Sequence, residues 1–437
     1  MKKIISVICA AAIAITLTAC SNEGGSSTPA SSNGSVPTST PVSSAAAVSS
    51  SGSGTSSVNS ETSSASSEAN SVSSEANSVS SDVSATSSVT SAAESTPAGN
   101  NGSEHPLSNK NADAVTQKVY NYLCEIYGTH MLTGQMEAEW KTDSKGNKAE
   151  YEMELIQNEY GKLPAVRGID YMNGENGSIY AEANQRAIEW WNKGGLVTIC
   201  WHTGINGKGY DESKNDVPDF DKLLTDGTEE NKAMLANWDR AAAALAELQN
   251  AGVPVLWRPF HELDGGWFWW SKGGPENFKK LWIKMYDYYT NEKKLNNLIW
   301  VFGYTGKQNE FDVNGDDVKE KYEWKEWYVG DEYCDIVGSD TYDYNKNDAG
   351  GRVNKTGWEL LDGTGSTKPR AFHECGRMGS ADEFKSEGCT WLWFMVWHGG
   401  SSPDYVGNSN IKHNSENFKS MYDSEFTITL DELPSFK

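Results

Sequence analysis

From residue 106 onward, short apolar runs alternate with longer stretches in which apolar residues recur every three or four positions. The runs are 130–134, 163–168, 195–201, 253–257, 298–302, 334–338, 369–372 and 390–396. Each has the length of a strand buried on both faces. Helical patterns between them include 150–160, 181–192, 229–251 and 275–291. Pro275 stands as an N1 proline, and Gly252 sits just past a helix end. Eight strands alternating with helices predict an α/β fold, a (β/α)8 TIM barrel of parallel strands over 106–437. An open, doubly wound sheet is the competing architecture, but no Gly-x-Gly-x-x-Gly follows the first strand.

Residues 1–105 follow neither pattern. Lys2 and Lys3 precede an apolar stretch over 4–17, shorter than the roughly 20 residues of a membrane span. It closes as Leu17-Thr18-Ala19-Cys20, small residues before a Cys at the apolar-to-polar boundary. Residues 1–20 thus read as a signal peptide of the bacterial lipoprotein type, with Cys20 as the lipidation site. An ordinary secretory signal is the simpler alternative. Residues 21–105 are rich in Ser, Thr and Ala and nearly free of aromatics. Such a composition cannot bury enough apolar surface to offset its ordering entropy, which predicts a disordered tether. The expected location is extracellular, anchored at the cell surface or secreted, with membrane contact only through the lipid.

The formal charge of −23 argues against nucleic acid and anionic membrane surfaces as partners. Of seven cysteines, Cys9 lies in the signal and Cys20 at its end. Cys124, Cys200, Cys334, Cys375 and Cys389 remain, with no C-x-x-C among them. Free buried thiols are expected, with one disulfide left open.

In a barrel of this kind, chemistry gathers at the C-terminal ends of the strands. There the sequence places His130 and Gln135, Arg167 and Asp170, Trp201 and His202, then Arg258, His261 and Glu262. Tyr304, Asp340 and Tyr342, His373 and Glu374, and Trp397 and His398 complete the ring. Glu262 and Glu374 follow strands four and seven. A carboxylate pair facing across a barrel mouth can cut a glycosidic bond, one group protonated and the other ionised. The loop Gly266-Trp267-Phe268-Trp269-Trp270 comes directly after Glu262. Flat aromatic faces suit the C–H faces of sugar rings. Trp267 is the first choice for a sugar contact, while at least one of Trp269 and Trp270 is expected to pack.

The run Trp257-Arg258-Pro259-Phe260-His261-Glu262 with that aromatic loop resembles the acid/base signature of glycoside hydrolase family 26. Arg167 to Tyr171, Trp201-His202, Asp335 to Tyr342, Phe372 to Gly376 and Leu392 to Trp397 are similar to family segments, in order. The likeness spans about 115–434. It implies a retaining endo-β-1,4-mannanase acting on mannan, glucomannan or galactomannan. Glu262 would be the acid/base and Glu374 the nucleophile. His261 would bond the −1 sugar, Tyr342 would orient Glu374, and Trp397 would floor the −1 subsite. His202, Arg258 and Trp267 would line the site. A monomer without cofactor or metal is expected. Retention predicts carboxylates about 5–5.5 Å apart.

There are departures. Thr203-Gly204-Ile205-Asn206 stands where many relatives have Asn and Pro nearby. His398 stands where mannanases of the family often place Arg, which loosens the substrate assignment and leaves a β-1,3-1,4-glucanase as the alternative. A non-catalytic carbohydrate-binding barrel is the alternative from another class. The stretch from Asp312 to Glu323 partly copies an EF-hand, but Asp317 occupies the position that needs Gly. His202, His261, His373 and His398 fall on different strands and are not expected to hold a metal.

Overall fold

The computed structural model describes residues 105–138, 151–172, 174, 178–342, 348–398 and 415–437. The expected signal peptide, Cys20 and Ser-rich tether lie outside the described residues.

Eight parallel strands close into a barrel. They are β1 (Gly134–Met136), β2 (Val166–Asp170), β3 (Leu196–Trp201) and β4 (Val255–Pro259), then β5 (Leu298–Tyr304), β6 (Ile336–Thr341), β7 (Arg370–Cys375) and β8 (Phe394–Val396). Val396 of β8 pairs with Gln135 of β1 and completes the ring. Helix α1 (Ala114–Ile126) precedes the barrel. Then α2 (Tyr151–Tyr160), α3 (Ser178–Asn192), α4 (Glu229–Asn250) and α5 (Gly274–Asp287) follow β1 to β4 in turn. After β5 comes a hairpin, Glu310–Phe311 with Glu320–Lys321, and a single helical turn, Trp324–Trp327. Helices α6 (Lys355–Asp362), α7 (Ala381–Glu387) and α8 (Ser415–Tyr422) follow β6 to β8.

The helices start where side chains can satisfy their first amides. Asp113 accepts from Thr116 N–H, Thr228 from Asn231 N–H, and Ser380 forms a capping box with Glu383. Between barrel and helices lies an apolar layer with fully buried indoles, among them Trp190, Trp238, Trp257, Trp282 and Trp300. Each indole brings a large apolar area out of water, which stabilises the packing of helices on the barrel.

Most strand expectations shift in their bounds. Residues 130–134 were expected as the first barrel strand. Met131–Leu132 instead pairs in parallel with Thr427–Ile428 outside the barrel, and β1 begins at Gly134. Thr133 makes the break, its hydroxyl donating to Ile428 O. His130 therefore precedes the barrel strand and does not stand at the mouth. The second, fourth and fifth strands end two residues later than expected, at Asp170, Pro259 and Tyr304, the sixth and seventh three later, at Thr341 and Cys375, and the eighth begins only at Phe394. The helix expected over 275–291 starts at Gly274 and widens into a π-turn at Tyr288–Glu292.

Candidate active site

The mouth of the barrel is built by the ends of β2, β3, β4, β6, β7 and β8. β4 supplies its two groups through an unusual turn. Phe260 and Glu262 both have left-handed backbones, with φ of 50° and 49°. Non-glycine residues enter that region at a cost, and such strain collects at functional sites. The turn is held from outside. Trp270 Nε1 donates to His261 O at 2.9 Å, and Gly265 N–H donates to Glu262 O at 2.9 Å. Asp264 is buried and accepts from Thr305 N–H at 2.9 Å and from Trp324 Nε1 at 2.7 Å. Glu262 and His261 are thereby turned into the mouth.

Oxygens of Glu262, Glu374 and Asp340 all lie within 4.8 Å of one another. Trp267 is half-buried, and its Nε1 donates to Glu262 Oε2 at 2.6 Å. Two donors converge on Glu374. Arg258 Nη2 bonds Oε1, and the Tyr342 hydroxyl donates to Oε2 at 2.8 Å. Burial, with the negative charge of Glu374 second, holds the Tyr342 phenol far above its ordinary pKa, so it stays a donor. Arg258 also donates through Nη1 to Asp340 at 2.9 Å.

The two carboxyls differ. Burial first, and the negative charge of Glu374 second, push Glu262 up to about 8. At neutral pH it is protonated, while Glu374 sits among cationic and hydroxyl donors. A protonated Glu262 close to a second carboxyl that accepts from Arg258 and Tyr342 is an arrangement that suits a double displacement at a glycosidic bond.

His202 donates from Nδ1 to Asp170, and its Nε2 lies 3.1 Å from His261 Nε2. Burial pulls the His202 pKa down, but the Asp170 charge and hydrogen bond outweigh it and leave the pKa raised. Burial, then His202 and Arg258, drive the His261 pKa far down, so that ring is neutral. Phe268 and Tyr210 pack ring to ring against His202 at 5.5 and 4.9 Å. Trp397 is half-buried at the end of β8, 6.0 Å from the His202 ring. His398 is buried with its ring 5.1 Å from that of Trp397.

All seven substrate-site residues named from the sequence thus surround Glu262 and Glu374 or adjoin those that do. Trp269 and Trp270 are both buried; their indole N–H groups bond Thr203 O and His261 O. His373 does not reach the mouth. It fills the barrel below, where a Cβ on Gly338 would come 2.2 Å from its Nε2. Asp340, Asp170, Phe268 and Tyr210 had no role assigned from the sequence. The two acids were visible as strand ends; their partners were not.

The other sequence signals resolve locally. Asp312 accepts four amide N–H bonds from residues 314–317 of its own loop, which turns the EF-hand-like stretch into a self-capped turn. Cys124, Cys200, Cys334, Cys375 and Cys389 are free thiols. Among the described residues, no helix is long and apolar enough to cross a membrane.

The model of glycosyl hydrolase family 26 matches residues 108–432. The chain is 30% identical over 350 residues to a mannan endo-1,4-beta-mannosidase of Thermothelomyces thermophilus, covering 76% of this chain and 64% of that protein. It thus spans less than two thirds of the length of the first curated relatives that it matches. Among solved structures, a GH26 protein of Muricauda sp. superposes with a TM-score of 0.62 at 30% identity, over 75% of this chain and 99% of that one. A beta-mannanase from a symbiotic protist of the termite Reticulitermes speratus, complexed with gluco-manno-oligosaccharide, gives 0.61 at 30% identity, over 76% and 98%.

Proposed function

The chain belongs to glycosyl hydrolase family 26, and from that premise we propose that it is a retaining endo-β-1,4-mannanase acting on mannan, glucomannan or galactomannan. The observation that carries this reading is the carboxyl pair. Glu262 holds its proton to about 8, within 4.8 Å of a Glu374 gripped by Arg258 and Tyr342. The substrate class is supported by the mannosidase relatives.

In the first step Glu374 attacks the anomeric carbon, and Glu262 gives its proton to the leaving glycosidic oxygen. The Trp267 N–H fixes Oε2 of Glu262 and leaves Oε1 for that transfer. Formation of the ester removes the negative charge of Glu374. The second-largest cause of the raised Glu262 pKa then disappears, and Glu262 becomes a better base. In the second step it takes a proton from water, the water attacks the anomeric carbon, and Glu374 leaves as a carboxylate. Two inversions give net retention.

The test is hydrolysis of glucomannan by the purified full chain, with the anomer of the first product followed by proton NMR. Release of β-configured reducing ends, and loss of roughly 10⁴-fold in kcat for Glu374→Ala, are expected. Binding without release of reducing ends would leave a carbohydrate-binding protein. Faster turnover of barley-type glucan would replace the substrate.

A further inference from the structure

Asp170, His202 and His261 form a chain from the end of β2 to the edge of Glu374. Oδ1 of Asp170 accepts two backbone N–H groups, from Met172 at 2.9 Å and His202 at 3.2 Å. Its Oδ2 takes His202 Nδ1–H. The two Nε2 atoms of the histidines are 3.1 Å apart, and that of His261 is 3.9 Å from Glu374 Oε1. His261 Nδ1 is buried and has no hydrogen-bond partner among the described residues.

A neutral imidazole carries one N–H. Once His202 is neutral, its one N–H is committed to Asp170, so its Nε2 is bare and accepts. The hydrogen between the rings then belongs to His261. The bare nitrogen of His261 is Nδ1, the one without a partner. The opposite arrangement would strand an N–H there, and buried N–H groups are rarely left unpaired. We propose that Asp170 is a positioning residue that fixes His261 as its Nε2–H tautomer, so that a positive N–H edge rather than a lone pair faces Glu374. This rests on the nucleophile role given to Glu374 above.

Asp170→Asn tests the direction of the chain. The two backbone donors hold the amide oxygen of Asn at the Oδ1 place. Its NH2 group is then set against His202 Nδ1 and can only donate. His202 must carry its hydrogen on Nε2 and donate it to His261, whose own hydrogen moves to Nδ1. One isosteric change inverts both rings and turns a lone pair toward the carboxylate.

The measurement is long-range proton–nitrogen NMR of the full chain labelled with 15N-histidine, in alkaline buffer where His202 is neutral, with kcat and KM on glucomannan followed separately as a function of pH. Wild type is expected to show His202 as Nδ1–H and His261 as Nε2–H. Asp170→Asn is expected to exchange the two and to lower kcat on the order of 10- to 100-fold with little change in KM. An Nδ1–H tautomer of His261 in wild type overturns the proposal, even if the variant does not fold. So does a variant with unchanged tautomers, whether its kcat falls or not. If wild type releases no sugar, the hydrolase reading fails, and the spectrum still decides the tautomer.

Discussion

Glu262 shows how one residue can be tuned at the expense of the fold. Its ordinary value of 4.5 rises to about 8, by burial first and then by Glu374. The folded chain holds this proton more tightly than the unfolded chain. Stability from the protonated carboxyl is fully present below 4.5 and is lost as pH rises through about 8. Activity needs the same proton, so kcat/KM is expected to fall through the same pH, read from a pH–rate profile. Glu262→Gln separates the two effects. It keeps the shape, removes the titration, and is expected to melt a few °C above wild type at pH 8 while losing about 10³-fold in kcat. A variant that melts no higher than wild type at that pH contradicts the raised value. The carboxyl pair was legible because each Glu adjoins its strand end in one contiguous motif. Asp170 and Asp340 were legible only as acids at strand ends. Their partners lie 32 and 82 residues away, and only closure of the barrel brings them together.

At the scale of elements, the turn after β4 decides where the chemistry points. Two left-handed non-glycine residues in three positions carry no sequence signature, because nothing local favours them. The turn is held by contacts that arrive from elsewhere. Asp264 ties it to Thr305 at the end of β5 and to Trp324 in the next helical turn. Asp264→Ala would leave a buried amide and a buried indole N–H unpaired. It is expected to cost about 2–4 kcal/mol in urea unfolding, with kcat falling as the turn relaxes. Unchanged stability would show that the turn holds without this tie. The first strand was misread for a related reason. Met131–Leu132 is apolar enough for a barrel strand, but its partner is a segment near the far end of the chain, whose pairing no local pattern reveals.

For the whole folded part, that distant pairing means that the C-terminal segment braces the entry to a barrel already closed by Val396 and Gln135. Met131 N–H donates to Phe426 O, Thr133 N–H to Ile428 O, and Leu430 N–H to Leu163 O. Phe436 then stacks on Trp191 at 6.2 Å and meets Tyr122 edge-on at 5.4 Å. The C-terminal segment thus joins α1, α3 and the approaches to β1 and β2, all on the side of the barrel opposite the mouth. TIM barrels divide their faces in this way, with stability on one and catalysis on the other. Phe436→Ala is expected to lower stability by about 2–4 kcal/mol, since it empties a site packed by two rings. Ending the chain after Glu425 removes the ladder as well, and should lower the melting temperature by at least about 10 °C. Both changes lie far from Glu262 and Glu374 in the fold, so kcat measured well below the melting point should stay within about twofold of wild type. A loss of kcat in Phe436→Ala without loss of stability would mean that the two faces are coupled, and that the C-terminal segment helps to set the geometry of the mouth.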